Sequence, residues 1–357
     1  MRIVIGGGNA LLYAASLNES LSIRQRLGAV LGRAAHKAVR TSAWLLARMA
    51  PISLGVAFLQ WCGALPWLAR GIEPAFRQVG LPGETALPFV VGALLNVYSA
   101  IGALSAIPLT DRQVTIFALM VLISHNLPIE VSVQHSAGTH GVRLLGLRLV
   151  SSVLGAWLLN LILPESGTIA TGGGVAAGDA GAPANLWAMT VAWGAGTFTL
   201  MGTVLVFVLG VMLLQEFLHE FDLPHGLARL VSPALALLGL PRSVAFLWIV
   251  ANTLGLAYGA GVLVPEARSG RIRPEEIGML NRSIAVCHSL LEDTLLFVAI
   301  GAWATWITLP RLAAAATAVW LFRLGLRRGW VRAEETARSG ATDAREDGPP
   351  STRSPGG

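Results

Sequence analysis

The chain has 357 residues, 54% hydrophobic and only 13% charged, with a mean hydropathy of +0.63. A soluble domain carries roughly 25% charged residues, so this composition excludes an ordinary globular enzyme. The net charge of +6 is nearly all arginine, with Lys37 the only lysine, and basic flanks beside apolar runs mark cytoplasmic ends of membrane spans rather than a nucleic-acid surface.

Met1 to Leu17 is mildly apolar, but Arg2 is its only basic residue and Gly6-Gly7-Gly8 interrupts it. It fits neither a signal peptide nor a dinucleotide fingerprint, because no strand-helix unit follows. Residues 18–40 are basic and place Leu21, Ile23, Leu27, Val30 and Leu31 on one side. This pattern predicts an amphipathic helix on the membrane surface, so 1–40 reads as an N-terminal cytoplasmic segment. Spans are expected at 41–64, 86–108, 113–134 and 142–163, making 41–163 a first membrane unit. A glycine-rich loop, 164–185, holds Glu165 and Asp179 but no Lys or Arg. The second unit, 186–325, repeats the layout with spans at 186–214, 242–264, 276–299 and 303–323. Residues 326–357 form a basic and polar tail whose last part, from 333, is expected to be disordered. Cys62 and Cys287, the only cysteines, both lie in apolar runs and predict no disulfide.

The two units echo each other in detail. Pro74-Ala75-Phe76-Arg77-Gln78-Val79-Gly80-Leu81-Pro82 returns 159 residues later as Pro233-Ala234-Leu235-Ala236-Leu237-Leu238-Gly239-Leu240-Pro241. Asn96 returns as Asn252, and Ser124-His125-Asn126-Leu127-Pro128-Ile129-Glu130 returns as Cys287-His288-Ser289-Leu290-Leu291-Glu292-Asp293. Duplicated halves with polar residues at matching depths are how many transporters build a site at the bilayer midplane. If 86–108 and its counterpart are re-entrant hairpins, each half crosses an odd number of times and the repeats are inverted. The Arg-free loop then lies outside, while Arg268, Arg271, Arg273 and both termini lie inside, as the positive-inside tendency asks. The fold class is therefore an all-α polytopic membrane protein with two inverted repeats and re-entrant or broken helices. Trp44, Trp61, Trp67, Trp157, Trp187, Trp303 and Trp306 lie near expected span ends, as an interfacial aromatic belt would.

Three groups of residues could carry chemistry. The sharpest is Ser124, His125, Asn126 and Glu130 with His288, Ser289, Glu292 and Asp293, because an ionisable group inside a span is costly and functional by default. Asn126 and Glu130 are four apart, as are Ser289 and Asp293, so each pair shares a helix face. Pro128 removes a backbone donor and should break the first helix, freeing carbonyls for a ligand or ion. The bland alternative is that these groups only glue helices together. Asn96 and Asn252 form the second group; an amide suits recognition of a base or ribose, and equally the capping of a broken helix. The third is Glu216, His219, Glu220, Asp222 and His225, just past a span end, which reads as a solvated face more readily than as a metal site. His135 and His140 read as solvated loop residues. Whether any of these residues binds a metal stays open. No phosphate loop, Ser-His-Asp pattern or zinc-protease motif is present, so neither an enzyme nor a bound cofactor is expected.

The segments Asn96-Val97-Tyr98-Ser99-Ala100-Ile101-Gly102, Ser124 to Glu130 and His288 to Asp293 resemble the nucleoside recognition, or Gate, domain family. That family includes spore maturation proteins and the membrane domain of the ferrous iron transporter B. The resemblance covers about residues 41–325. It implies a multi-pass inner-membrane protein with inverted repeats and a central polar site, but this chain lacks the GTP-binding domain that accompanies regulated iron transport. The expected function is transport of a nucleoside or similar small polar solute through the repeat interface. Asn96 and Asn252 would provide hydrogen bonds, and Glu130 and Asp293 would bind the solute or carry a coupling ion. The alternatives are a divalent metal transporter and a non-transporting scaffold or partner subunit. The expected partners are the solute or ion and the bilayer, with no nucleic acid; self-association into a homo-oligomer is left open.

Overall fold

The computed structural model describes residues 23–64, 67, 70, 71, 73–165, 185–221, 223–253 and 255–329. The expectations for residues 1–22, for Asp222, for most of the glycine-rich loop (166–184) and for most of the tail (330–357) lie outside these. Among the described residues there are helices and turns and no strand. In chain order the helices are α1 (Ile23–Trp61), α2 (Glu73–Gln78), α3 (Ala86–Leu94), α4 (Val97–Leu104), α5 (Asp111–Ser124), α6 (Leu127–Ser136) and α7 (Gly141–Ile162). They continue as α8 (Leu186–Glu220), α9 (Leu223–Leu235), α10 (Ala245–Thr253), α11 (Gly255–Arg268), α12 (Pro274–Val286), α13 (Glu292–Val298) and α14 (Ala304–Arg327). Short 3-10 turns at Gly83–Thr85 and Arg242–Val244 precede α3 and α10.

The longest helices, α1 and α8, have 39 and 35 residues and pack along each other. At 1.5 Å per residue they reach about 58 and 52 Å, well beyond the ~30 Å of a hydrocarbon core. Instead of the expected surface helix within 18–40 and separate span at 41–64, one helix, Ile23–Trp61, runs through both. No glycine or proline interrupts residues 33–50, so nothing in the local chemistry ends the helix there. The basic half also has a protein partner. Arg33 Nε lies 2.9 Å from Glu216 Oε2, Arg33 Nη2 lies 2.6 Å from Glu220 Oε2, and Lys37 pairs with Glu216. Glu216 and Glu220 are therefore spent on the N-terminal helix. The side chains of His219 and His225 lie outside the described residues.

Three described helical stretches are long and apolar enough to cross a membrane: Asp111–Ser136, Gly141–Ile162 and Ala304–Arg327. Burial separates them, at 78% for the first against 22% and 33% for the others, so α5 with α6 forms the middle of the molecule. Phe117 of α5 and Phe297 of α13 meet edge to face there, fully buried, with centroids 6.5 Å apart. Burying each such ring contributes about 1.5–3 kcal/mol. On the outer face of α7, Val150, Val153, Leu154, Trp157 and Leu161 are exposed, a surface suited to lipid rather than water.

Four stretches expected as spans are interrupted. α3 and α4 part at Leu95–Asn96 and pack against each other. A Cβ on Gly92 would stand 2.8 Å from Ala100 Cβ and 3.3 Å from Val121, so only glycine lets the two arms and α5 come this close. α10 and α11 also pack together across their break. The other two breaks fall at His125–Asn126, between α5 and α6, and at Cys287–Leu291, between α12 and α13.

Candidate functional site

The two later breaks adopt the same local geometry. Asn126 (φ 50°) and Ser289 (φ 47°) are the non-glycine residues with left-handed backbone among those described. Such a conformation is strained for an L-residue and persists only where its surroundings hold it. Here each is held by a hydrogen bond from its own amide: Asn126 N donates to Gly92 O at 3.0 Å, and Ser289 N donates to Ala251 O at 3.1 Å. The acceptors stand near the ends of α3 and α10, so the break of α5 is tied to the α3–α4 pair, and that of α12 to the α10–α11 pair. Pro128, expected to break the helix, sits instead in the first turn of α6, where its missing donor costs nothing.

These breaks bring together four of the residues singled out from the sequence. His125 Nε2 lies 3.2 Å from Glu130 Oε1 and 3.5 Å from Asp293 Oδ2. His288 Nε2 lies 3.2 Å from Glu130 Oε2 and 3.3 Å from His125 Nε2, and the two rings are 4.9 Å apart between centroids. All four side chains are buried.

Hydrogen-bond accounting makes this contact unusual. Both imidazoles place Nδ1 against a backbone carbonyl, Val121 O at 3.1 Å and Ile284 O at 2.8 Å. A carbonyl only accepts, so each Nδ1 carries the hydrogen. In neutral rings both Nε2 atoms would then be acceptors, facing each other and a carboxylate. The arrangement requires a proton on an Nε2 or on a facing carboxyl oxygen, or a cation between them. His125, His288 and Glu130 offer ligand atoms within 4.8 Å of one another, so the same three groups could hold a metal ion. Fixing of Nδ1 by a carbonyl is also the usual support for a metal-binding histidine.

Two residues that sequence reasoning missed complete the site. Arg148 of α7 and Arg311 of α14 are fully buried. Arg148 donates from Nε to Ile123 O (2.7 Å) and from Nη2 to His125 O (2.8 Å), and its Nη1 lies 2.7 Å from Glu130 Oε2. That last approach has ion-pair distance without hydrogen-bond alignment, because both atoms lack a directed partner. Arg311 donates from Nη2 to His288 O. Each arginine thus satisfies the carbonyl of the histidine 23 positions before it. The signal was present in the sequence: the arginines are 163 residues apart, as are the histidines.

The remaining predicted residues have other work. Asn96 caps α4, its Oδ1 accepting from Ser99 N at 2.8 Å. Asn252 Nδ2 donates to Trp248 O at 3.0 Å and leaves its Oδ1 buried without a partner, as is Asn126 Oδ1. Ser124 Oγ donates weakly to Arg148 O at 3.4 Å. Glu292 points away from the histidines and accepts from Tyr98 OH at 2.7 Å, joining α13 to α4. His135 and His140 are exposed as read from the sequence, but His135 stands in the last turn of α6 rather than in a loop, its Nδ1 3.1 Å from Thr139 O.

Residues 43–134 match the Gate family, described as nucleoside recognition. That stretch ends just past α5 and most of α6, so it includes Asn96, His125 and Glu130 but not their second-half counterparts. The chain is also similar to a Bacillus subtilis protein named "Uncharacterized membrane protein YvoD", with 29% identity over 298 residues, covering 82% of this chain and 93% of that protein. No solved structure matches the chain. Apolar helices, the buried polar centre and these likenesses agree: the chain is a helical membrane protein carrying a Gate domain over residues 43–134.

Proposed function

We propose that the protein is transporter-like, resides in the cytoplasmic membrane, and moves a nucleoside or similar small polar solute through the cluster of His125, Glu130, His288 and Asp293. The cluster then lies between two inverted repeats, α1–α7 and α8–α14. The hairpins α3–α4 and α10–α11 enter the membrane without crossing it, and both termini are cytoplasmic. The recurring element order, the paired breaks and the Arg-free loop 164–185 favour this arrangement. The observation that carries the reading is the meeting of two histidines and two carboxylates, buried at two broken helices, at distances over which they can share a proton. A proton there couples naturally to solute movement, because the breaks that position it are also the points where helices can rearrange.

A divalent metal is the second reading, and the ligand triad favours it. Arg148 beside Glu130 disfavours it, because a guanidinium 2.7 Å from a ligand oxygen repels a cation.

Thermal unfolding of the purified protein with nucleosides, nucleobases, amino acids and divalent metals tests these readings. A ligand at a hundredfold excess over Kd stabilises by about 2.7 kcal/mol. One solute class should raise Tm in the wild type and fail to do so in Glu130→Gln and Asp293→Asn, which still fold. If no ligand acts and both variants merely melt lower, the residues are helix glue and the protein is a scaffold.

A further inference from the structure

The two buried arginines occupy corresponding places but are not equally satisfied. Arg148 donates from two nitrogens to backbone carbonyls and holds Nη1 at ion-pair distance, 2.7 Å, from Glu130 Oε2, without a directed hydrogen bond. Arg311 uses only Nη2, on His288 O; its Nε and Nη1 are buried and have no partner. No carboxylate of a described residue lies within ion-pair distance of Arg311, although the side chain is fully buried. The cause is visible in the sequence. Where Arg148 has a glutamate, five residues after its histidine, Arg311 has an aspartate in the same position. Asp293 is one methylene shorter; it reaches to 3.5 Å of His125 Nε2, and its Oδ2 makes no hydrogen bond. A buried guanidinium with two free N–H-bearing nitrogens is costly, whereas one that receives an anion is strongly bound.

We infer that the place beside Arg311 Nη1, filled on Arg148 by the Glu130 carboxylate, is a binding position for an anionic group of carboxylate size on the transported solute. The duplicated half supplies the template: it shows the partner such an arginine takes, and the shorter acid at 293 makes no ion pair with Arg311, so a solute anion would take that partner's part. The inference rests on reading the central cluster as a solute site, and it narrows that reading from an uncharged nucleoside to a small polar solute with a negative group, which Arg311 holds while His125, His288 and Glu130 manage the proton. Asp293 then lines the position and excludes a larger or doubly charged group by repulsion.

The test uses the full-length protein in detergent and chloride-free buffer, with sodium acetate, inorganic phosphate and uridine as probes. Tm is followed in wild type, in Asp293→Glu, and in Arg311→Lys, which keeps the charge but loses the planar donor set. Asp293→Glu restores the missing methylene and should act as a built-in occupant. Its Tm without probe should exceed that of wild type. Acetate should raise the wild-type Tm saturably, more than phosphate does, and should have no effect on Asp293→Glu and a weakened effect on Arg311→Lys. Equal acetate shifts in wild type and Asp293→Glu would overturn the inference, as a general salt effect would produce them. A uridine shift in both proteins with no acetate shift would overturn it too, while leaving the solute site itself standing. Silence of all three probes, with Asp293→Glu no more stable than wild type, would count against the inference and against the solute site together.

Discussion

Replacing Arg148 by methionine keeps the bulk of the side chain and removes its charge from a site with no solvent exposure. Glu130 then remains buried without its arginine, with only the two histidines beside it, and the carbonyls of Ile123 and His125 lose donors at 2.7 and 2.8 Å. Stranding one member of a buried ion pair costs about 3–5 kcal/mol, a large share of the ~5–15 kcal/mol that holds a typical domain. Glu130→Gln is gentler, about 1–3 kcal/mol, because it leaves no buried carboxylate and the two backbone bonds of the arginine survive. Removing both charges together should cost less than the sum, since the double variant strands neither. The expected coupling energy is about 1–3 kcal/mol. The assay is thermal and denaturant unfolding in detergent, followed by tryptophan fluorescence, for the wild type, both single variants and the double. Single effects that add to the double within ~0.5 kcal/mol would mean that Arg148 and Glu130 do not form the pair described, and the charge accounting of the site would fall with it.

Gly92→Ala should cost about 1–3 kcal/mol, because its methyl would meet Ala100 Cβ at 2.8 Å between two backbones that cannot part without moving the Asn126 anchor; Gly146→Ala, with open space around it, should be neutral or slightly stabilising in the same melts. In the first turn of α12, Glu276 accepts from Arg273 N at 3.2 Å and from Arg273 Nη2 at 2.9 Å, so Glu276→Gln should melt slightly lower than wild type. A maleimide should modify exposed Cys62 and spare fully buried Cys287 in the folded protein; mass spectrometry of the labelled peptides would expose a mistake if Cys287 reacted first.

The site was partly legible because burying charge in a membrane is costly enough to leave a mark in sequence. His125, Glu130, His288 and Asp293 stood out as ionisable residues in apolar runs, and the structure brings all four together. Arg148 and Arg311 carried the same mark and were missed, because an arginine in an otherwise apolar helix invites the interpretation of a flank. Their shared spacing from the histidines was the cue that distinguishes them. Glu292, adjacent to Asp293, could not be told from it by position along the chain; the turn at Ser289 aims one acid at His125 and the other at Tyr98. That turn itself was illegible, since neither glycine nor proline marks it and a serine adopts positive φ only because Ala251 O holds it there. The continuity of α1 was hidden for a different reason. A basic, half-apolar segment fits a membrane surface or an acidic neighbour equally well, and only the fold brings Glu216 and Glu220 beside it.

The central claim is that this buried polar cluster passes a solute. Uptake of radiolabelled nucleosides into proteoliposomes, by wild type, Glu130→Gln and Asp293→Asn reconstituted at equal amounts, measures it most directly. Saturable uptake by the wild type, abolished in both variants while their circular dichroism stays helical, is the predicted result. Uptake that survives both substitutions, or a wild type no faster than protein-free vesicles, would contradict the account.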